Sequence, residues 1–395
     1  MIGNSPWAVT TPQDQLPADA SEPLRRIAEY EMLLGVGVKL AGTLDPTAVL
    51  ELALESAEHV CRAETSSIWE LDEERGDLFF RVVRGRAAGD IRDLRVPLGE
   101  GIVGTVAQSG AAEVVQHVDD DPRWHGDPAS TFRTRAILAV PLRARGAVIG
   151  VLQLLNPVGR DSFTAGDLWR MEQFAAILAP PLQNARLYAE QRRQFLNMVK
   201  SLAETIEKKD LYTGGHVQRV VAYSILLGEE MELSRDELKD LWLAATLHDI
   251  GKIGVPDRIL GKPSPLDAEE SELMKKHTVF GAQIVKPLAN PHVLCGVRSH
   301  HERIDGTGYP DSLADADIPR AARIIAVADT FDAMTTSRPY RAALPVQLAA
   351  AEIERGAGTQ FCPRVVAAFQ SIFAAGRFTP AEGDILVNSL VEHVG

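Results

Sequence analysis

The stretch LWLAATLHDIGKIG, residues 241–254, carries an apolar helix into a histidine and an aspartate. The segment before His248 is apolar nearly all round, and a helix without a polar face is a buried one. It draws Asp249 into the interior, where an unpaired carboxylate is costly or takes up a proton. A bound cation removes that conflict. Lys252 lies four residues after His248 and three after Asp249, so a continuing helical turn places it on their face. The competing reading is a structural His–Asp pair closed by a Gly251 cap.

From Lys208 onward the spacing reads as helical throughout, and histidines recur on apolar helices. His216 shares a face with Val220, Tyr223 and Leu227. His277 stands in MKKHTVFGAQIV (274–285), and His300 and His301 open HHERIDGTGYP (300–310). Asp329 sits in the apolar run of RIIAVADTFDAMT (323–335). One histidine on an apolar face is ordinarily a core residue. Seven groups from four or five segments (His216, His248, Asp249, His277, His300, His301, Asp329) exceed one tetrahedral site. They suit two octahedral ions sharing a carboxylate, with positions left for water. Imidazole and carboxylate donors favour iron or manganese, with cobalt or nickel as substitutes, over calcium or magnesium. Adjacent His300 and His301 can reach one ion only from an irregular helix end. Gly306 and Gly308 then allow a tight turn, Pro310 fixes its exit, and Tyr309 stands at the mouth.

The motifs YTGGH (212–216), HDIGKIGVPDRIL (248–260), KKH (275–277), HHERIDGTGYP and ADTFDAMTTSRPYR (328–341) resemble the HD-GYP family, a branch of the HD phosphohydrolases, over residues 196–375. The resemblance implies an all-α bundle that hydrolyses the bacterial second messenger cyclic di-GMP to pGpG and possibly GMP. It also implies that His216, His248, Asp249 and Asp329 hold one ion, that Asp249 bridges, and that His277, His300 and His301 hold the second. Lys252 and Asp249 would act in catalysis, Lys252 facing a phosphate. Gly308, Tyr309 and Pro310 would form the signature loop, with Asp305 as its anchor. Arg338 and Arg341 would bind phosphate or guanine, and Asp332 would lie beside the second ion or the base. Thr278 replaces a common proline and Arg341 a common lysine. Tyr212 stands where some members carry a third-metal glutamate, so two metals are expected. The alternatives are an HD phosphohydrolase of another cyclic or linear nucleotide, and a non-catalytic cyclic di-GMP receptor or scaffold.

The N-terminal half has a different period. Two helices over 24–62 begin on Leu33, Val36, Val38 and Leu40. A hairpin closed at Gly76, a short helix in GEGIVGTVAQSG (99–110), a second hairpin turning at Ala144–Gly146, and a helix from Ala165 to Leu178 follow. That order gives an antiparallel sheet flanked by helices. With DDPRW (120–124) and LAVPLRARGAVIGVLQLLN (138–156), residues 28–180 resemble a GAF domain, which implies an unidentified small-molecule effector. Cyclic-nucleotide-binding members carry an Asn-Lys, then Phe, then Asp. This chain has Asn156, Phe163 and Asp167, with Pro157 in place of the lysine. Cys61 reads as core, and His117, Trp124 and His125 as loop residues that could line a pocket.

The expected organisation is therefore multidomain: a disordered segment 1–23, an α+β GAF domain 24–181, a linker helix 182–209, an all-α HD-GYP bundle 196–375 and a tail 376–395. In the linker Ala185, Tyr188, Phe195, Val199, Leu202 and Ile206 form a short heptad seam, broken at Arg192, that fits a homodimer. A net charge of −13 disfavours a general nucleic-acid binder. Three scattered cysteines, no signal-peptide pattern and no membrane-length apolar run give a cytoplasmic expectation without a membrane partner.

Overall fold

The computed structural model describes residues 22–85, 94–126, 132–209, 215–287, 290–337 and 342–392. The expected disorder of 1–23 therefore falls almost wholly outside the described residues, as do Tyr212, Arg338 and Arg341. The chain divides into two compact units, Met1–Gln191 and Arg192–Gly395.

The first unit is a six-stranded antiparallel sheet with helices. Its elements are α1 (Glu22–Ala41), α2 (Pro46–Cys61), β1 (Ala63–Asp72), β2 (Asp77–Gly85), β3 (Arg95–Pro97), α3 (Gly101–Ser109), β4 (Glu113–Val115), β5 (Ile137–Ala144) and β6 (Ala147–Pro157). The strand order is β3-β2-β1-β6-β5-β4. Asp45 starts α2 by accepting from the Thr47 N–H, and Pro46 occupies the first turn, where no N–H is needed. Two-residue alternation divides the sheet's faces. Ile68, Leu138, Leu152 and Leu154 pack with Leu33, Leu50, Leu54 and Phe174 into one core. Trp69, Ile137, Ala139 and Val151 pack with Ile102, Val103 and Val106 of α3 into another.

Three details differ from the sequence reading. The three-residue strands β3 and β4 are too short to show alternation. Val38 is 67% exposed, because the buried stripe of α1 runs through Leu33, Val36 and Leu40. The helices expected at 165–178 and 182–209 are one 45-residue helix, α4 (Ala165–Lys209), which passes through Pro180 and Pro181. Cys61 is buried as expected, and burial pushes its thiol up to about 12.

The second unit is all-helical beyond the end of α4. It comprises α5 (His216–Glu230), α6 (Arg235–Leu247), α7 (Asp257–Leu260), α8 (Ala268–Lys275), α9 (His277–Val285), α10 (Pro291–Ser299), α11 (Arg320–Thr335), α12 (Val346–Arg355), α13 (Pro363–Ala374) and α14 (Pro380–Glu392). Ser234 and Glu237 form a capping box on α6, and Asp267 and Glu270 form one on α8. Val220, Leu241, Ala244, Ile324, Val327, Phe331 and Phe369 are central in its core. Residues 380–392, expected to be tail, form a helix that packs on α5 and places Val387 in that core. Among the described residues no helix is long and apolar enough to cross a membrane.

Candidate metal centre

Helix ends deliver most of the chemistry. His216 is the first residue of α5, behind Gly215 in the left-handed region (φ 74°). His248 caps the C-terminus of α6, and Asp249 leads into a 3-10 turn at Ile250–Gly254. His277 opens α9, and His300 caps α10 with His301 one step beyond. Asp329 lies inside α11. A β-carbon on Gly251 would collide with the His277 carbonyl and the Gly281 nitrogen, so glycine lets the 3-10 turn lie against α9. That contact brings His277 within 3.5 Å (Nε2–Oδ1) of Asp249.

Two donor sets result. His216, His248 and Asp329 offer ligand atoms within 4.8 Å of one another, and so do His277, His300 and His301. Asp249 stands between them. Its Oδ2 lies 3.4 Å from His248 Nε2 and 3.8 Å from His216 Nε2, while Oδ1 faces His277. Asp329 Oδ1 lies 3.4 Å from His216 Nε2. The Lys252 ammonium lies 2.7 Å from Asp249 Oδ2.

The tautomers follow from the partners. Nδ1 of His248, His277 and His300 each lies 2.7 Å from a backbone carbonyl, of Ala245, Met274 and Val297 respectively. A carbonyl oxygen only accepts, so each Nδ1 carries the proton and each Nε2 presents a lone pair. His216 does the same through a carboxylate, donating from Nδ1 to Asp332 Oδ2 at 2.7 Å. Nε2 of His277 and His300 then face each other at 3.4 Å, lone pair to lone pair, and Nε2 of fully buried His248 has no hydrogen-bond partner. Imidazole nitrogens held this way fit metal ions, which would satisfy the buried lone pairs.

The charges of the second set agree with that fit. Burial pushes His277 down, and it pushes His300 well below the usual imidazole value, helped by the field of His301. Burial brings His301 down to about 4. Three neutral imidazoles are what a cation needs. His248 differs: burial opposes its charged form, but the adjoining Asp249 carboxylate outweighs it and raises the group to about 9, so an ion binding there must displace a proton from Nε2. Burial likewise opposes the Asp249 carboxylate, and Lys252 and His248 hold it well below its usual range.

The GYP loop is fixed from below. Glu302 is buried, and its two oxygens accept from the N–H groups of Asp311 (2.7 Å) and Leu313 (3.0 Å). Asp305 accepts from the N–H and hydroxyl of Thr307 and pairs with Arg303. A β-carbon on Gly308 would collide with the backbone of Glu302 and Arg303. The Tyr309–Pro310 bond is cis, and the Tyr309 ring stacks on His301 (centroids 4.9 Å, 29°).

One expected substrate residue lies elsewhere. Asp332 is 1% exposed and sits behind His216, held also by Arg219 through Nε–Oδ1 at 2.5 Å. It braces the imidazole and, with Arg219 and Thr336, lines a neighbouring pocket. Sequence reasoning missed three supporting groups. Arg219 follows His216 by three residues, a helical spacing that could have marked it. Glu302 directly follows the histidine pair and gave no sign of burial. Glu207 of α4 caps α5 by accepting from the N–H groups of His216 and Val217.

In the first unit, Trp124 and His125 line a cavity, whereas His117 is not among its lining residues. Asn156 is buried and bonds the backbone of Arg133, Arg135 and Ala136. Phe163 is core, and Asp167 bonds Thr164, Arg160 and Arg170.

Comparison with known proteins agrees with the two-unit architecture. Residues 43–181 match the GAF domain model and residues 200–365 the HD domain model. The chain joins an N-terminal GAF domain to a helical HD domain. The HD half has relatives named cyclic di-GMP phosphodiesterases. It is 44% identical to the Cyclic di-GMP phosphodiesterase of Thermotoga maritima, over 45% of this chain and 47% of that protein. It is 40% identical to the Cyclic di-GMP phosphodiesterase response regulator RpfG of Xanthomonas campestris pv. campestris, over 42% of this chain and 44% of that one. A 3'3'-cGAMP-specific phosphodiesterase of Vibrio cholerae is 38% identical, over 44% of this chain and 38% of that one. The matches thus span less than half the length of these relatives.

Proposed function

We propose that this protein is a metal-dependent cyclic di-GMP phosphodiesterase whose GAF domain regulates hydrolysis to pGpG and possibly GMP. The supporting observation is the pair of imidazole sets with Asp249 between them, the Nε2 atoms turned inward by outward-bonded Nδ1 protons. In this reading His216, His248, Asp249 and Asp329 hold one divalent ion, and His277, His300 and His301 hold the other, with Asp249 shared. When bound, two iron or manganese ions supply positive charge for the phosphoryl oxygens and lower the pKa of water for attack on phosphorus.

The chain's own groups do the rest. Asp332 and the three backbone carbonyls orient the imidazoles. Lys252, beside Asp249, carries the positive charge closest to that carboxylate and faces the phosphodiester. Tyr309, stacked on His301, walls the mouth, while Glu302 and Asp305 keep Gly308, Tyr309 and Pro310 in place. Arg338 and Arg341 complete substrate binding. The reading also includes a homodimer through α4. Tyr188, Phe195 and Leu202 recur at seven-residue steps and are 46%, 38% and 46% exposed, with Met198 62% exposed between them.

The curated cGAMP relatives favour one second reading, hydrolysis of 3'3'-cGAMP at the same centre. Metal-loaded protein incubated separately with cyclic di-GMP and 3'3'-cGAMP decides between them. Linear product from cyclic di-GMP, lost in Asp249→Ala together with both metals, supports the first. Cleavage of 3'3'-cGAMP alone supports the second, and two bound metals with no cleavage of either leave a non-catalytic receptor.

A further inference from the structure

The cavity of the first unit has a chemistry of its own. It measures about 400 Å³ and lies on the sheet face shared by Ser67 and Trp69 of β1 and Gln153 of β6. Trp69, Phe80, Trp124 and Phe132 supply flat aromatic surface. Gln153 is 6% exposed, and its Oε1 accepts from Trp69 Nε1 at 3.1 Å and from Ser67 Oγ at 3.2 Å. An indole N–H only donates, so that atom must be the amide oxygen. The amide N–H₂ is then left open to the cavity with no partner among the described residues, a donor available to an acceptor on a bound molecule.

The charges at this cavity oppose an anion. Arg95 is bonded by Asp72 and Asp77, and Arg123 by Asp121 and Glu113, so both guanidiniums are already satisfied by carboxylates. Glu100 lines the cavity with no ion pair among the described residues. It also stands at the N-cap of α3, where its charge offsets that helix end's attraction for anions. Among the described residues, those lining the cavity and their direct partners thus hold two positive and five negative side chains. Asn156, Phe163 and Asp167 do not line it.

We propose that this cavity binds an uncharged, planar heteroaromatic molecule whose ring carbonyl or ring nitrogen accepts from the Gln153 amide, and that it rejects phosphate-bearing nucleotides. The proposal rests on the reading of the domain as a sensor. Its test measures binding directly, so its failure is separable from any failure of hydrolysis.

The full chain is titrated calorimetrically with three neutral lactams, hypoxanthine, 2-quinolone and lumichrome. Cyclic GMP and cyclic AMP serve as anionic arms, and N-methylquinolinium as a cationic one. At least one lactam binds, Gln153→Met weakens it about tenfold or more, and Val83→Trp, which fills the cavity and leaves the amide intact, abolishes it. The proposal is overturned if no lactam binds below about 1 mM. It is equally overturned if a cyclic nucleotide or the cation binds more tightly than every lactam, or if the lactam's affinity is unchanged in Gln153→Met.

Discussion

Replacing Asp332 by asparagine separates the two metal ions. Asp332 Oδ2 accepts from His216 Nδ1 at 2.7 Å, and the same carboxylate takes Arg219 Nε on Oδ1 at 2.5 Å. Asparagine keeps the size but offers one acceptor oxygen, so its N–H₂ must face either the imidazole N–H or the guanidinium, donor against donor. A buried charge-assisted hydrogen bond is worth about 1.5–3 kcal/mol. At about 1.4 kcal/mol per tenfold, that is a loss of roughly 10–100-fold in affinity for the ion on His216, within the range for outer-sphere partners of metal-bound histidine. The second set, His277, His300 and His301, takes its orientation from Met274 and Val297 and from the Tyr309 stack, none of which touches Asp332. Manganese titration of metal-free Asp332→Asn by electron paramagnetic resonance therefore finds one weakened and one unchanged class of site. Two sites of wild-type affinity would refute the bracing role. Equal weakening of both, with circular dichroism unchanged, would refute the assignment of the ions to separate sets.

Three further outcomes follow from the same geometry. Glu302→Ala leaves the N–H groups of Asp311 and Leu313 unpaired at about 1–3 kcal/mol each. The thermal midpoint falls and kcat/KM drops while both metals stay bound; unchanged kinetics would show that the loop does not need this anchor. Metal-free protein loses stability as pH falls from about 6.5 toward 4, because the unfolded chain protonates imidazoles that His300 and His301 keep neutral in the fold. His248 contributes the opposite limb, present below 6.5 and lost as pH rises through about 9. Urea midpoints of chelator-treated protein from pH 4 to 9.5 check both limbs, and a midpoint that rises as pH falls below about 6.5, or that does not fall as pH rises toward 9.5, contradicts them. Phe195→Glu places a charge in the exposed seven-residue stripe of α4, so light scattering finds a monomer with the core intact; a retained dimer would place the interface elsewhere.

The fold was legible wherever periodicity ran long enough. The all-round apolar segment before His248 required a buried helix, and the alternation across 137–157 required a hairpin. Legibility failed where tertiary neighbours decide. Val38 and Leu40 are both apolar, and only packing assigns one to water and the other to the core. The same holds for the α4 seam: Ala185, Val199 and Ile206 are buried, while Tyr188, Phe195 and Leu202 are left outside. The donor residues could be read because buried charge is costly and therefore conspicuous. Their supports could not be, since Asp332 and Glu302 resemble any surface acid until their partners are known. Gln153 was silent for the same reason, its unpaired amide being a property of three neighbouring strand positions.

Metal content and hydrolysis measured on one anaerobically purified sample test the central claim most directly. Two transition-metal ions per chain, with cyclic di-GMP converted to pGpG and conversion lost on chelation, is the result expected from the two histidine sets around Asp249. Hydrolysis that persists in metal-free protein would contradict it.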